Sequence, residues 1–274
     1  MDMSYKSHRF LEDNSSMKKP LMALQELSFR YGTHGAPVLR NLSLNLEEGL
    51  VTAVLGPNGV GKTTLLYLML GWLHPDEGKL MLDGRPLGEY GQRERGQWMS
   101  LVPQREHIPF EYSMLEYVLL GRAPYLRPLE SPVEKDIRIA SHALESVGLD
   151  PGDRRPITKF SGGERQLLMI ARALAQQPRI ILLDEPTSHL DLRNKRMLVD
   201  IMRDQAAEGV TLLFTTHEPE VASACANRVV LMRDGRILSF GTVDEVMQEN
   251  LLSTTYGSDI TVSEVHGKRV TLWF

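Results

Sequence analysis

The hydrophobic positions of this 274-residue chain change period several times. From Leu21 they alternate with polar ones: Leu24, Leu27 and Phe29, then Val38, Leu42 and Leu44. Period two marks half-buried strands, and the two glycines within 31–37 predict a turn between them. Val51-Thr-Ala-Val-Leu55 is apolar throughout, ends in a glycine-rich turn, and is followed by a helical run from Lys62 to about Leu70. Leu80–Leu82 before Asp83-Gly84 predicts a hairpin, and 100–102 another strand. Between 106 and 156 the period becomes helical. One apolar face there holds Met114, Tyr117, Val118 and Leu119, and a second holds Ile137, Ala140, Ala143, Leu144 and Val147. Strands at 179–183, 211–214 and 228–232 then alternate with helices at 161–175, 193–207 and 219–225. Asp234-Gly235 predicts a hairpin into 237–240, a helix is expected over 244–249, and 258–274 reads as a terminal hairpin turning near Gly267.

Apolar strands separated by helices predict an α/β fold with a mostly parallel sheet covered on both faces. An antiparallel β subdomain precedes it, and a helical insert over about 106–160 interrupts it. The expected organisation is a loose polar tail over 1–20, one domain over 21–257 and the hairpin over 258–274. The tail has no apolar centre and does not read as a signal peptide. No stretch is apolar for the roughly 18 residues that a membrane-spanning helix needs. Membrane spans would have to come from another chain.

Composition adds little. The chain is 42% hydrophobic and 24% charged, with a net charge of −4, which argues against a basic nucleic-acid stripe. Cys225 is the only cysteine, so no internal disulfide can form, and its helical surroundings make it an inert small residue. A reducing compartment fits this usage.

Three motifs carry chemistry. Gly56-Pro57-Asn58-Gly59-Val60-Gly61-Lys62-Thr63, followed by Thr64, matches the phosphate-loop pattern at every fixed position. Glycines there let backbone N–H groups approach phosphate at a helix start. Lys62 adds a charge for the β- and γ-phosphates, and the Thr63 hydroxyl suits Mg²⁺. Ile180-Ile-Leu-Leu-Asp184-Glu185 delivers two carboxylates at the carboxyl end of a buried strand. Adjacent strand residues point to opposite sides, so Asp184 is read as serving Mg²⁺ and Glu185 as polarising the attacking water. The third motif, Phe160-Ser161-Gly162-Gly163-Glu164-Arg165-Gln166, opens a helix with an S-x-x-E capping pattern and accessible backbone amides. It makes a second anion site.

On this third motif the chain resembles the ABC ATPase family, whose signature is usually Leu-Ser-Gly-Gly-Gln. The resemblance covers roughly 21–250 with all motifs in order. Phe160 and Glu164 depart from it, and Glu164 brings a negative charge toward a nucleotide site. The resemblance implies a RecA-like P-loop NTPase core and hydrolysis of ATP with Mg²⁺. It implies that Ser161, Gly162, Gly163, Glu164 and Asp191 meet the ATP held by a second copy. Gln104 would touch Mg²⁺ and the attacking water, Ser188-His189-Leu190-Asp191 would cross to the partner, and His217 would contact the γ-phosphate. Tyr31 would stack on adenine, with Phe29 as the competing candidate.

The resemblance further implies a homodimer, two transmembrane permease subunits docking near 104–127, an external substrate-binding protein, no nucleic acid, and a peripheral place on the cytoplasmic face of the cell membrane. Ser113-Met-Leu-Glu-Tyr-Val-Leu-Leu-Gly-Arg-Ala-Pro-Tyr125, Gly241-Thr-Val-Asp-Glu-Val246 and the 251–257 segment resemble importers of iron-siderophore, haem or cobalamin. A molybdate or tungstate importer is the alternative. The other alternative is a non-transport ATPase that uses ATP as a dimerisation switch. The short insert, without heptads, argues against the coiled-coil DNA-linked members.

Overall fold

The structure is a computed structural model describing residues 19–106, 110–188, 190–265 and 268–273, the side chains of Lys268 and Trp273 excepted. Residues 1–18 of the tail predicted over 1–20, His189 and the turn near Gly267 lie outside the described residues.

The first sheet is built from β1 (Met22–Arg30), β2 (Pro37–Leu46), β4 (Glu77–Leu82) and the two-residue β5 (Arg85–Pro86), in the order β2-β1-β4-β5. All its pairings are antiparallel. The second sheet has β3 (Val51–Leu55), β6 (Met99–Val102), β7 (Ile180–Leu183), β8 (Thr211–Thr216), β9 (Arg228–Arg233) and β10 (Arg236–Gly241). Its order is β10-β9-β3-β8-β7-β6, parallel except for the β9–β10 hairpin.

The parallel strands read as unbroken apolar runs because both faces are buried. Val51, Ala53 and Leu55 of β3 point into one core, as do Ile181 and Leu183 of β7, Leu212 and Phe214 of β8, and Val229 and Leu231 of β9. Their neighbours Val54, Ile180, Leu182, Leu213, Val230 and Met232 point into the other. The second core is closed by the antiparallel sheet and by α1 (Lys62–Met69). The first is closed by α3 (Met114–Leu119), α4 (Glu134–Ser146), α5 (Gly162–Ala175), α6 (Leu192–Ala207) and α7 (Pro219–Cys225). Cys225 is buried in α7, with its thiol directed at the Val221 carbonyl.

Helix starts follow local chemistry. Ser113 and Ser161 each cap a helix reciprocally with a glutamate three residues on, Glu116 and Glu164. Asp191 caps α6 by accepting from the Asn194 N–H at 2.8 Å.

Some details add to or differ from the sequence reading. Between β5 and β6 lies α2 (Gln92–Trp98), a charged helix with no buried face and therefore no apolar period to announce it. The two apolar faces read within 106–156 fall on α3 and at the α4 end of the stretch, and between them the chain tightens into a 3₁₀ segment over Leu120–Tyr125, which contains Pro124. The helix expected over 244–249 is two helices, α8 (Val243–Val246) and α9 (Glu249–Tyr256). Met247 leaves helical geometry between them and is fully buried. A further difference, at Glu185, belongs to the site. The chain closes with the hairpin β11 (Ile260–Val265) and β12 (Lys268–Trp273), and β12 packs on α7.

A buried ion pair pins the helical insert. The Arg122 Nε donates to Asp136 Oδ1 at 2.9 Å, and its Nη1 donates to the Ala175 carbonyl at 2.8 Å. Asp136 Oδ2 also accepts from the Val133 N–H, fixing the start of α4. The Arg122 hydrogen bond, ahead of burial, sets the balance that holds the Asp136 carboxyl below its usual range.

Candidate active site

The strands β3, β8, β7 and β6 are adjacent and parallel, so their carboxyl ends share one edge. Open α/β sheets bind ligands there. Gly56 follows β3, His217 follows β8, Asp184 and Glu185 follow β7, and Gln104 comes two residues after β6. Residues spread over more than 160 positions of sequence thus meet at one place.

The phosphate loop needs its glycines for space as well as flexibility. Gly61 has φ 106, and a Cβ there would lie 2.7 Å from the Leu39 side chain. A Cβ on Gly56 would sit 2.5 Å from the Met232 carbonyl oxygen. The loop is therefore pressed against β2 at Gly61 and against β9 at Gly56. Lys62 is 5% exposed. Its Nζ donates to the Gly56 carbonyl at 2.8 Å and lies 3.4 Å from Glu185 Oε1. Burial holds the ammonium's pKa below its usual value, and Glu185 and then Asp184 offset this only in part.

Asp184 and Glu185 do separate, but not by strand pleating. β7 ends at Leu183, and Glu185 sits at φ 44, so a left-handed turn swings it away. Asp184 is 7% exposed and accepts from the Thr63 hydroxyl at 2.8 Å and the Thr215 hydroxyl at 2.6 Å. Glu185 Oε2 accepts from Gln104 Nε2 at 3.1 Å and lies 3.3 Å from His217 Nδ1. The Thr215 hydroxyl also accepts the Glu185 backbone N–H at 2.9 Å. Thr215 thus holds the Asp184 carboxylate and the Glu185 backbone. Sequence reasoning missed it, although a hydroxyl at the end of an apolar strand was the available signal.

Tyr31 and Phe29 separate cleanly. Phe29 is 7% exposed and belongs to the core, whereas Tyr31 is 53% exposed. The two rings meet edge to face at 4.9 Å, and the Tyr31 hydroxyl bonds the Thr64 hydroxyl at 3.2 Å. Thr64 is buried, so its hydroxyl steadies the aromatic ring.

The Ser161–Gly163 tip of α5 is not part of this constellation. Among the described residues no hydrogen bond or ion pair joins it to the phosphate loop. Gly162 has nothing within 4 Å of where a Cβ would be, while Gly163 lies against the Asn194 side chain. Asp191 is exposed and one of its oxygens is used by the α6 cap. Glu218, next to His217, is tied to the Thr187 hydroxyl at 2.9 Å and to Lys195 of α6. That brace escaped sequence reasoning because it joins loops about thirty residues apart.

Hard oxygen donors and few of them suit Mg²⁺, which binds through one or two protein groups plus phosphate oxygens. Thr63 and Asp184 are such a pair. Among the described residues no cluster of three or more His, Cys, Asp or Glu could hold a metal alone.

A sequence profile described as ABC transporter matches residues 39–188. A hemin import ATP-binding protein of Rhodococcus jostii is 34% identical over 230 residues, covering 84% of this chain and 78% of that protein. The chain belongs to the ABC transporter family. A molybdate import ATP-binding protein of Haemophilus influenzae is 36% identical, covering 84% and 86% of the two chains. Among solved structures, an inward-facing ABC transporter described as metal-chelate type superposes with TM-score 0.80 at 32% identity, covering 93% of this chain and 97% of that one. A bacterial ABC transporter cassette solved as a dimer gives TM-score 0.72 at 27% identity, covering 81% and 98%. The core is accordingly the P-loop NTPase fold of ABC cassettes. ABC proteins of this kind bind ATP and hydrolyse it to drive transport. Among the described residues no helix is long and apolar enough to cross a membrane.

Proposed function

We propose that the chain is the ATP-hydrolysing subunit of an importer, working as a head-to-tail homodimer on the cytoplasmic face of the cell membrane. It would drive two transmembrane permease subunits fed by an external binding protein. One observation carries the reading. Lys62, Gln104, Glu185 and His217 converge on one sheet edge, while the Ser161–Gly163 anion site stands apart from it. A second copy bringing its tip to that edge would complete the site.

In this reading Tyr31 stacks on adenine, and the amides of Gly56 to Gly61 with Lys62 hold the phosphates. Thr63 and Asp184, with Gln104 nearby, would hold Mg²⁺, which would supply charge neutralisation at phosphate oxygens. Glu185 takes a proton from water as that water's oxygen attacks the γ-phosphorus. The bond to the ADP oxygen breaks, and ADP and inorganic phosphate leave. Gln104 and His217 hold Glu185 Oε2 in place, and His217 also faces the γ-phosphate. ATP drives transport only if it favours the closed pair over the open one.

The cargo proposed is a metal chelate of the iron-siderophore, haem or cobalamin type, supported by the hemin import relative and the metal-chelate transporter. The molybdate import relative supports oxyanion uptake as the second reading. Reconstituting the chain with its membrane subunits in vesicles tests both. Binding protein loaded with a ferric chelate, haem or cobalamin should stimulate ATP hydrolysis. Stimulation by molybdate alone would overturn the cargo class.

A further inference from the structure

The two departures from the family's usual signature, Phe160 and Glu164, are touched by the same side chain. The Arg155 guanidinium lies over the Phe160 ring, 4.4 Å from its centroid. Its Nη2 donates to Glu164 Oε1 at 3.2 Å. Glu164 Oε2 is committed to the Ser161 backbone N–H at 2.8 Å, so the carboxylate is fixed at the helix tip. The guanidinium is fixed in turn by Asp153, which accepts from Arg155 Nε at 2.8 Å and from its backbone N–H at 2.9 Å.

We infer that Arg155 is a positioning residue that offsets the charge of Glu164 and keeps the Ser161–Gly163 tip receptive to a phosphate. The inference rests on the proposed reading that this tip meets ATP held by a second copy. The family's usual glutamine would cap the helix without a charge. Glutamate caps it with a full negative charge beside the amides meant for an anion. Without Arg155 the Glu164 carboxylate would keep its bond to the Ser161 N–H but lose its guanidinium partner. Arg155 is 52% exposed and Glu164 33%, so the pair is screened, and its effect should be a modest one on binding.

The test is a double-mutant comparison on the full-length chain, reading steady-state hydrolysis against ATP concentration. R155Q should raise the KM for ATP about fivefold over wild type, the upper range for an exposed pair, with kcat within about twofold. R155Q/E164Q should lie within about twofold of E164Q, because no carboxylate at position 164 is left to offset. R155K should recover most of the loss. The R155Q effect should shrink between about 0.05 and about 0.5 M salt. An equal loss from R155Q in both backgrounds would mean that Arg155 only scaffolds the loop, and would overturn the inference. So would an unchanged KM in R155Q. S161R, which blocks the tip, separates this from the underlying reading. Normal hydrolysis by S161R would sink the trans-acting tip. Loss of hydrolysis in S161R without coupling between positions 155 and 164 would sink the Arg155 inference alone.

Discussion

Replacing Glu185 with glutamine removes one negative charge from the site while keeping its shape. Two consequences of opposite sign follow. Glu185 Oε1 is 3.4 Å from Lys62 Nζ, and both side chains are buried, at 13% and 5% exposure. At an effective dielectric of about 20 their attraction is on the order of 5 kcal/mol before desolvation. The Gly56 and Pro57 carbonyls also hold Lys62, at 2.8 and 3.3 Å, so they retain part of this. With desolvation counted, the nucleotide-free protein should lose about 1–2 kcal/mol net. The phosphates of ATP would restore an anionic partner to Lys62, so E185Q should bind ATP about tenfold more tightly. Hydrolysis should fall by about 10²–10⁴, the usual contribution of a positioned base. Calorimetric titration with MgATP reads the first effect and phosphate release reads the second. The slowed variant should also elute as a dimer with MgATP. Weaker ATP binding by E185Q would refute the electrostatic argument, and wild-type turnover would remove Glu185 from the chemistry.

Other outcomes follow from neighbouring contacts. Y31A should raise the KM for ATP about fivefold to a hundredfold, since a base stacked on an aromatic ring is worth roughly 1–3 kcal/mol. F29A should instead destabilise the fold by about 3–5 kcal/mol, readable as a drop in urea midpoint. If F29A spared the fold and impaired ATP binding, the two roles would have to be exchanged. T215V should lower kcat more than it raises KM, because the Thr215 hydroxyl orients Asp184 and the Glu185 backbone. Unchanged kcat in T215V would dismiss that role. R122M should cost about 3–5 kcal/mol at pH 7 by stranding the buried Asp136 carboxylate. Because the folded pKa of Asp136 is depressed, the stability it contributes is present above its unfolded pKa of about 3.9 and lost as pH falls through the lower folded value. The gap between wild type and R122M should therefore narrow in acid, and a gap independent of pH would contradict the ion-pair argument.

The sequence by itself determined the elements whose period or chemistry is local. Apolar runs at 51–55, 180–183 and 211–214, too short for helices and bounded by turn residues, read as strands buried on both faces. The loop from Gly56 to Lys62 announced phosphate binding because its spacing is a backbone requirement. The Ser161/Glu164 cap was legible because both partners lie within one helical turn. What required tertiary structure was everything that depends on neighbours distant in sequence. Helix α2 has no buried face, so no periodicity could reveal it. Glu185 leaves its neighbour through a left-handed turn, where strand alternation would have placed it otherwise. Thr215 acquires its role only because β8 lies beside β7, and Arg155 only because its loop folds back onto the tip of α5. Local periodicity encodes which face of an element is buried. The strand order β3-β8-β7-β6 decides which side chains stand together, and that order is fixed by packing between elements far apart along the chain.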